Sequence, residues 1–148
     1  MPSEATRQRG MRFPARSGKV KVLLVDEDAG DLKLYRLTLE GQGFEVVTCT
    51  SFEAGAHCLE QEEFDFVLVG QGTVAFEGRK VLDRAMQANR YRPVLVVTRC
   101  TDMQCYLEAM QLGAVDYLEK PLPPVDLLRF VKSHVYHDRA RAQGSFVS

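Results

Sequence analysis

At 148 residues, 45% of them apolar and 26% charged, the chain has the size and composition of one globular domain with a full hydrophobic core. No apolar run approaches the roughly 18 residues of a membrane-spanning helix, and the basic, polar N-terminus lacks the apolar stretch of a secretory signal. A net charge of −1 argues against bulk nucleic-acid binding by the domain, so a cytoplasmic location without membrane or nucleic-acid contact is expected.

Residues 1–18 read as a disordered basic tail. Over residues 1–21, Arg7, Arg9, Arg12, Arg16, Lys19 and Lys21 face Glu4 alone, a local balance of +5. A first strand is predicted over 20–25 and is followed at once by Asp26-Glu27-Asp28, with Asp28 suited to cap a helix. In that helix Leu32, Tyr35 and Leu39, joined by Leu34 and Leu37, make a wide apolar stripe that Gly41 or Gly43 ends. A second strand over 44–49 ends in Cys49, which packs as a small hydrophobe, and Thr50-Ser51-Phe52-Glu53 has capping-box spacing for the second helix. The third strand, 65–69, runs into Gly70-Gln71-Gly72. The fourth, 94–98, ends in Thr98; Thr101 or Asp102 caps the following helix, which stops at Gly113. The fifth strand, 115–119, precedes Lys120-Pro121, and Pro123-Pro124 opens a last helix with Leu127, Leu128, Val131 and Val135 facing inward. Apolar periodicity then fades, which predicts a domain over 19–136 and a tail or linker start over 137–148.

Five strands alternating with helices through short loops predict an α/β domain, (βα)₅, with parallel strands and right-handed crossovers. Three of the strands lack polar alternation, as strands covered on both faces do. An open sheet of this type binds ligands beyond the carboxyl ends of its strands, where Asp26, Glu27, Gly70, Thr98 and Lys120 all fall. The four cysteines show no zinc spacing; Cys100 and Cys105 sit near a helix start, where a thiol can be acidified. His134 and His137 share a helical face without a third ligand nearby and read as surface residues.

These residues resemble the receiver domain of two-component response regulators, over roughly 19–136. Val25-Asp26-Glu27-Asp28 is similar to the family's acidic Mg²⁺-binding corner, Asp65-Phe66-Val67-Leu68-Val69 to the strand that delivers the phospho-accepting Asp, and Glu77-Gly78 to the acidic-Gly pair after it. Thr98 resembles the hydroxyl that contacts the phosphoryl group, and Tyr117 the aromatic that turns inward on activation. Gly113-Ala114-Val115-Asp116-Tyr117-Leu118-Glu119-Lys120-Pro121 is the most specific stretch. The resemblance implies a flavodoxin-like, doubly wound sheet of order 2-1-3-4-5 and a cis Lys120–Pro121 bond. It also marks three departures: Gly70 at the acceptor position, Val74 where Pro is frequent, and Arg99 where a small residue follows the Thr.

Aspartyl phosphorylation needs a carboxylate nucleophile, a divalent cation and a lysine. Gly70 supplies no nucleophile, and Asp65 lies five residues back, about 17 Å along a strand. Thr73 and Glu77 sit in or after the loop and are poor substitutes. With Arg99 at the rim, Arg99 and Lys120 are expected to pair with Asp26 and Glu27, neutralising the pocket and leaving Mg²⁺ binding there weak or lost. The expected function is that of a pseudo-receiver: a non-enzymatic signalling module, not phosphorylated at position 70. Its partner is a sensor kinase, an output domain or another signalling protein. A homodimer through Met103, Tyr106, Met110, Arg129 and Lys132, with Glu119 and Asp126 alongside, is the companion expectation. The alternative is a small-molecule or nucleotide-binding module that uses the Gly70-Gln71-Gly72 loop, although G-x-G-x-x-G is broken by Ala75. An enzyme is disfavoured because no activated Ser, Cys or His accompanies the carboxylates.

Overall fold

The structure, a computed structural model, describes residues 18–144, with side chains as far as residue 136. The basic tail expected over 1–18, apart from Gly18, and the side chains of His137, Arg139 and Arg141 therefore lie outside the described residues. Ten elements alternate: β1 (Lys21–Val25), α1 (Ala29–Glu40), β2 (Glu45–Cys49), α2 (Phe52–Gln61), β3 (Phe66–Gly70), α3 (Arg79–Ala88), β4 (Val94–Thr98), α4 (Met103–Gln111), β5 (Asp116–Glu119) and α5 (Pro124–Gly144). All strand pairs are parallel, in the order β2-β1-β3-β4-β5.

The apolar runs decide this order. β3 and β4 are buried at every position and β1 at all but Lys21, as central strands covered on both faces must be. Edge strands β2 and β5 are only partly covered. Side chains alternate between two cores. Leu23, Val25, Val67, Val69, Val94 and Val96 meet α2, α3 and α4 on one face; Val22, Leu24, Phe66, Leu68, Leu95 and Val97 meet α1 and α5 on the other.

Local signals place the helices. Asp28 caps α1 by accepting from the Asp31 N–H, and Asp102 caps α4 by accepting from the Cys105 N–H. α2 begins one residue later than its capping box suggests: Ser51, not Thr50, is the cap, and its hydroxyl accepts from the Ala54 N–H. The stripe on α1 is narrower than predicted. Leu32, Tyr35 and Leu39 are buried, whereas Leu34 and Leu37 face solvent. α5 continues to Gly144, past residue 136 where apolar periodicity fades; Asp138-Arg139-Ala140-Arg141-Ala142-Gln143 consists mostly of good helix formers. The Lys120–Pro121 bond is cis.

Candidate functional site

Parallel strands align their carboxyl ends, and the side chains that follow them meet in one open pocket of about 360 Å³. Asp26, Glu27, Asp28, Phe52, Gly70, Thr98, Arg99 and Lys120 are among its lining residues. All five residues predicted for the site converge there. Asp65 does not: it accepts the Lys21 N–H (2.8 Å) at the opposite end of the sheet.

A buried ion pair lies at the floor. Lys120 Nζ donates to Asp26 Oδ2 at 2.7 Å, and both residues are buried. The second Asp26 oxygen accepts the Asp28 N–H at 3.0 Å. Lys120 also reaches Asp31 Oδ2 at 2.8 Å. Burial alone would lower the Lys120 pKa, but the hydrogen bonds and charges of Asp26 and Asp31 outweigh it, and the net direction is upward.

Gly70 explains why Asp26 can lie so low. A Cβ built on Gly70 would stand 2.9 Å from Asp26 Oδ2 and 3.0 Å from its Cγ, closer than such atoms pack. The Asp26 carboxylate thus occupies the space in front of the bare Cα. Gly78 is fixed for a related reason, since a Cβ there would run into the Gly70 carbonyl oxygen.

At the rim the geometry departs from the expected pairing. Arg99 bonds Asp28 Oδ2 (3.0 Å) and Asp31 Oδ2 (2.7 Å), not Asp26 or Glu27, and Glu27 is exposed. The Asp31 N–H and then Arg99 hold the Asp28 carboxyl below the usual range, while the Asp28 bond raises the Arg99 pKa. Four carboxylates (Asp26, Glu27, Asp28 and Asp31) therefore face two cations, a formal −2 rather than the neutral pocket expected from Asp26 and Glu27 alone. Asp31 is the residue that sequence reasoning missed. Its signal was its place three residues after the cap, where a side chain in the first helical turn lies beside the carboxyl end of β1.

The pocket wall is built from loops. The Thr98 hydroxyl is turned into its own loop, accepting the Cys100 N–H (2.9 Å) and donating to the Cys100 carbonyl (3.1 Å). Glu77 accepts from the Thr73 N–H (2.7 Å) and hydroxyl, bonds that lower its pKa and tie the β3–α3 loop to itself. Val74 is exposed. Gln71, between two glycines, is fully buried: its amide N–H donates to the Val97 carbonyl at 2.8 Å, and its side chain takes the Tyr117 hydroxyl bond. Tyr117 is half-buried, with its ring edge-on to Tyr106 at 5.6 Å.

Comparison with known proteins now decides the family: residues 22–132 match the response regulator receiver domain. The chain belongs to that family. Among curated relatives, the alginate biosynthesis transcriptional regulatory protein AlgB of Pseudomonas aeruginosa is 32% identical over 107 residues, 72% of this chain and 24% of the relative. The transcriptional regulatory protein ZraR of Salmonella typhimurium is 28% identical over 122 residues, 82% of this chain and 28% of the relative. The chain thus spans about a quarter of the length of these relatives. A receiver domain from Methanospirillum hungatei, described as CheY-like, superposes with a TM-score of 0.78 at 25% identity, covering 82% of this chain and 98% of that one. The receiver fold is the expected flavodoxin-like one, and the domain is that of a two-component response regulator.

Cys105 does not show the acidification that a helix start can give. Burial pushes Cys105 up to about 11, and burial with the Cys58 thiol at 3.5 Å pushes Cys49 up to about 12. Cys100 is exposed. His134 bonds the Phe130 carbonyl through Nδ1 (2.9 Å) and stacks on the Phe130 ring. Among the described residues, no group of three or more His, Cys, Asp or Glu side chains is placed to hold a metal ion, and no helix is long and apolar enough to cross a membrane.

Proposed function

We propose that this receiver signals through protein–protein contact without accepting phosphate at position 70 and without enzymatic activity of its own. One observation carries the reading: the Asp26 carboxylate lies against the bare Gly70 backbone and is already bonded to Lys120. No nucleophilic oxygen projects from the end of β3, and the lysine that would meet a phosphoryl oxygen is held by two carboxylates.

The divalent cation that the family implies fits this donor set poorly. Asp26 offers its oxygens to Lys120 and to the Asp28 N–H, Gly70 adds no side-chain oxygen, and of the four carboxylates only Glu27 is left unpaired by Lys120 and Arg99. The formal −2 still attracts cations, so binding weaker than millimolar is the expectation rather than none. The nucleotide alternative gains little, because the pocket is acidic and two loop amides, of Gln71 and Thr73, already have acceptors.

The partner is a sensor kinase, an output domain or another signalling protein, met through the face built from α4, β5 and α5. Met103 is 70% and Tyr106 41% exposed, so neither is core packing; Met110 is partly buried. Arg129 pairs locally with Asp126 (3.2 Å), and Lys132 reaches Gln42 (3.5 Å), leaving a mixed apolar and charged surface suited to a second copy or another protein. The test is an Mg²⁺ titration followed by NMR, with ATP and GTP as parallel ligands. Millimolar saturation at Asp26 would defeat the metal-poor reading, and specific nucleotide shifts around Gly70–Gly72 would favour the alternative.

A further inference from the structure

We propose that Gln71 is an internal latch that holds Tyr117 and the β4–α4 loop in one arrangement without any added group. The inference deepens the phosphate-independent reading above and rests on it for its signalling meaning, though not for its existence.

Three elements meet at one side-chain amide. Gln71 Nε2 donates to the Cys100 carbonyl (3.1 Å) in the β4–α4 loop and to the Thr73 carbonyl (3.3 Å) in its own loop. Its Oε1 accepts the Tyr117 hydroxyl from β5. The Tyr117 oxygen in turn accepts the Asp102 N–H at 3.1 Å, one residue before α4 begins. Both donor hydrogens of the amide and its acceptor are therefore engaged at a fully buried site.

Burial gives this network its leverage. A glutamine amide removed from water needs every partner it has, so releasing Tyr117 would strand Gln71 Oε1. Swinging the β4–α4 loop away would likewise strand the Nε2 hydrogen given to the Cys100 carbonyl. The chain favours one position for it: Gly72 at φ +85° turns the backbone immediately after Gln71, and the Gln71 N–H and C=O are fixed by Val97 and Gly78. Thr98 closes the same loop from its other side through its two bonds to Cys100. The consequence reaches the surface. Tyr117 packs edge-on to the partly exposed Tyr106, and with Met103 both line a shallow recess on α4. Fixing Tyr117 fixes the shape that this face offers a partner. Gln71 is a positioning residue acting through Tyr117.

The experiment uses the full chain labelled with 3-fluorotyrosine and read by ¹⁹F NMR, with Tyr117 assigned by Tyr117→Phe and amide exchange measured in parallel. In the unsubstituted protein, the Tyr117 signal is expected to be single and shielded from a soluble paramagnetic quencher. In Gln71→Leu it should broaden or shift and become quenchable. Exchange at the Asp102 amide should rise about tenfold, the factor equivalent to roughly 1.4 kcal/mol for a lost buried hydrogen bond. The Tyr35 signal, from the opposite core, should not move. A Tyr117 signal in Gln71→Leu as shielded as in the parent overturns the latch. Should that variant unfold, Tyr117→Phe decides: exchange at Cys100 rises if the latch exists, and an unchanged loop overturns it. The two substitutions combined should do less than the sum of their separate effects, since they share the Gln71–Tyr117 bond. Incubation of the parent with a small phosphodonor separates the two readings. A phosphoryl adduct with the Gln71→Leu effects intact sinks phosphate independence and leaves the latch. No adduct with Tyr117 indifferent to Gln71→Leu sinks only the latch.

Discussion

Replacing Lys120 by Met keeps a stem of similar length and removes the one cation at the pocket floor. Asp26 is 7% exposed and loses its 2.7 Å partner, retaining only the Asp28 N–H on its other oxygen. Stranding one member of a buried pair costs about 3–5 kcal/mol. The bond to the more exposed Asp31 adds at most about 1 kcal/mol. The buried partner dominates, so Lys120→Met should lose about 3–5 kcal/mol at pH 7, measured by urea denaturation with an unchanged m-value. The deficit should depend on pH. An uncompensated buried carboxylate has a folded-state pKa raised above its unfolded one, so it opposes folding where the unfolded chain is ionised. The gap between parent and variant should therefore narrow as pH falls toward about 4. In the parent, the raised Lys120 pKa works on the alkaline side: its contribution is complete below the ordinary 10.5 and is lost as pH rises through the folded value. Adding Asp26→Asn to Lys120→Met should recover most of the loss. A deficit under about 1 kcal/mol, or one indifferent to pH, would refute the buried-pair reasoning.

Gly70→Ala should cost about 1–2 kcal/mol in the same assay. Pushing the Asp26 carboxylate off its seat costs about 1–3 kcal/mol, partly offset by the entropy the unfolded chain loses. Arg99→Ala should change stability by less than about 1 kcal/mol, because Arg99 and Asp28 are well exposed. NMR titration of that variant should show the Asp28 carboxyl moving up toward its ordinary value. A maleimide at pH 7 should label Cys100 first and leave Cys49 and Cys105 unmodified until the chain unfolds, read by peptide mass.

Much of this was legible in the sequence because it is encoded locally. The apolar runs of β1, β3 and β4 give the sheet, and Asp28 and Asp102 declare their helix starts by cap chemistry. Asp26, Gly70, Thr98 and Lys120 could be placed together because parallel strands bring their carboxyl ends to one edge. What escaped depends on contacts distant in sequence. Asp31 reads as an ordinary acidic residue in a first helical turn until β5 brings Lys120, 89 residues away, onto it. Gln71 reads as a loop residue between glycines; its burial follows only from Tyr117, 46 residues on. Arg99 lines the pocket, but its carboxylate partners depend on the first turn of α1, which a strand-by-strand reading leaves out. Spacing alone joins Leu34 and Leu37 to the apolar stripe, yet this helix on its sheet buries a narrower one.

The most direct test is the intact mass of the full chain after incubation with acetyl phosphate and Mg²⁺, with any adduct located by fragmentation. The account predicts an unchanged mass. A phosphoryl group on Asp26, Thr73 or any other residue lining the pocket, or on Glu77 behind its loop, would contradict it.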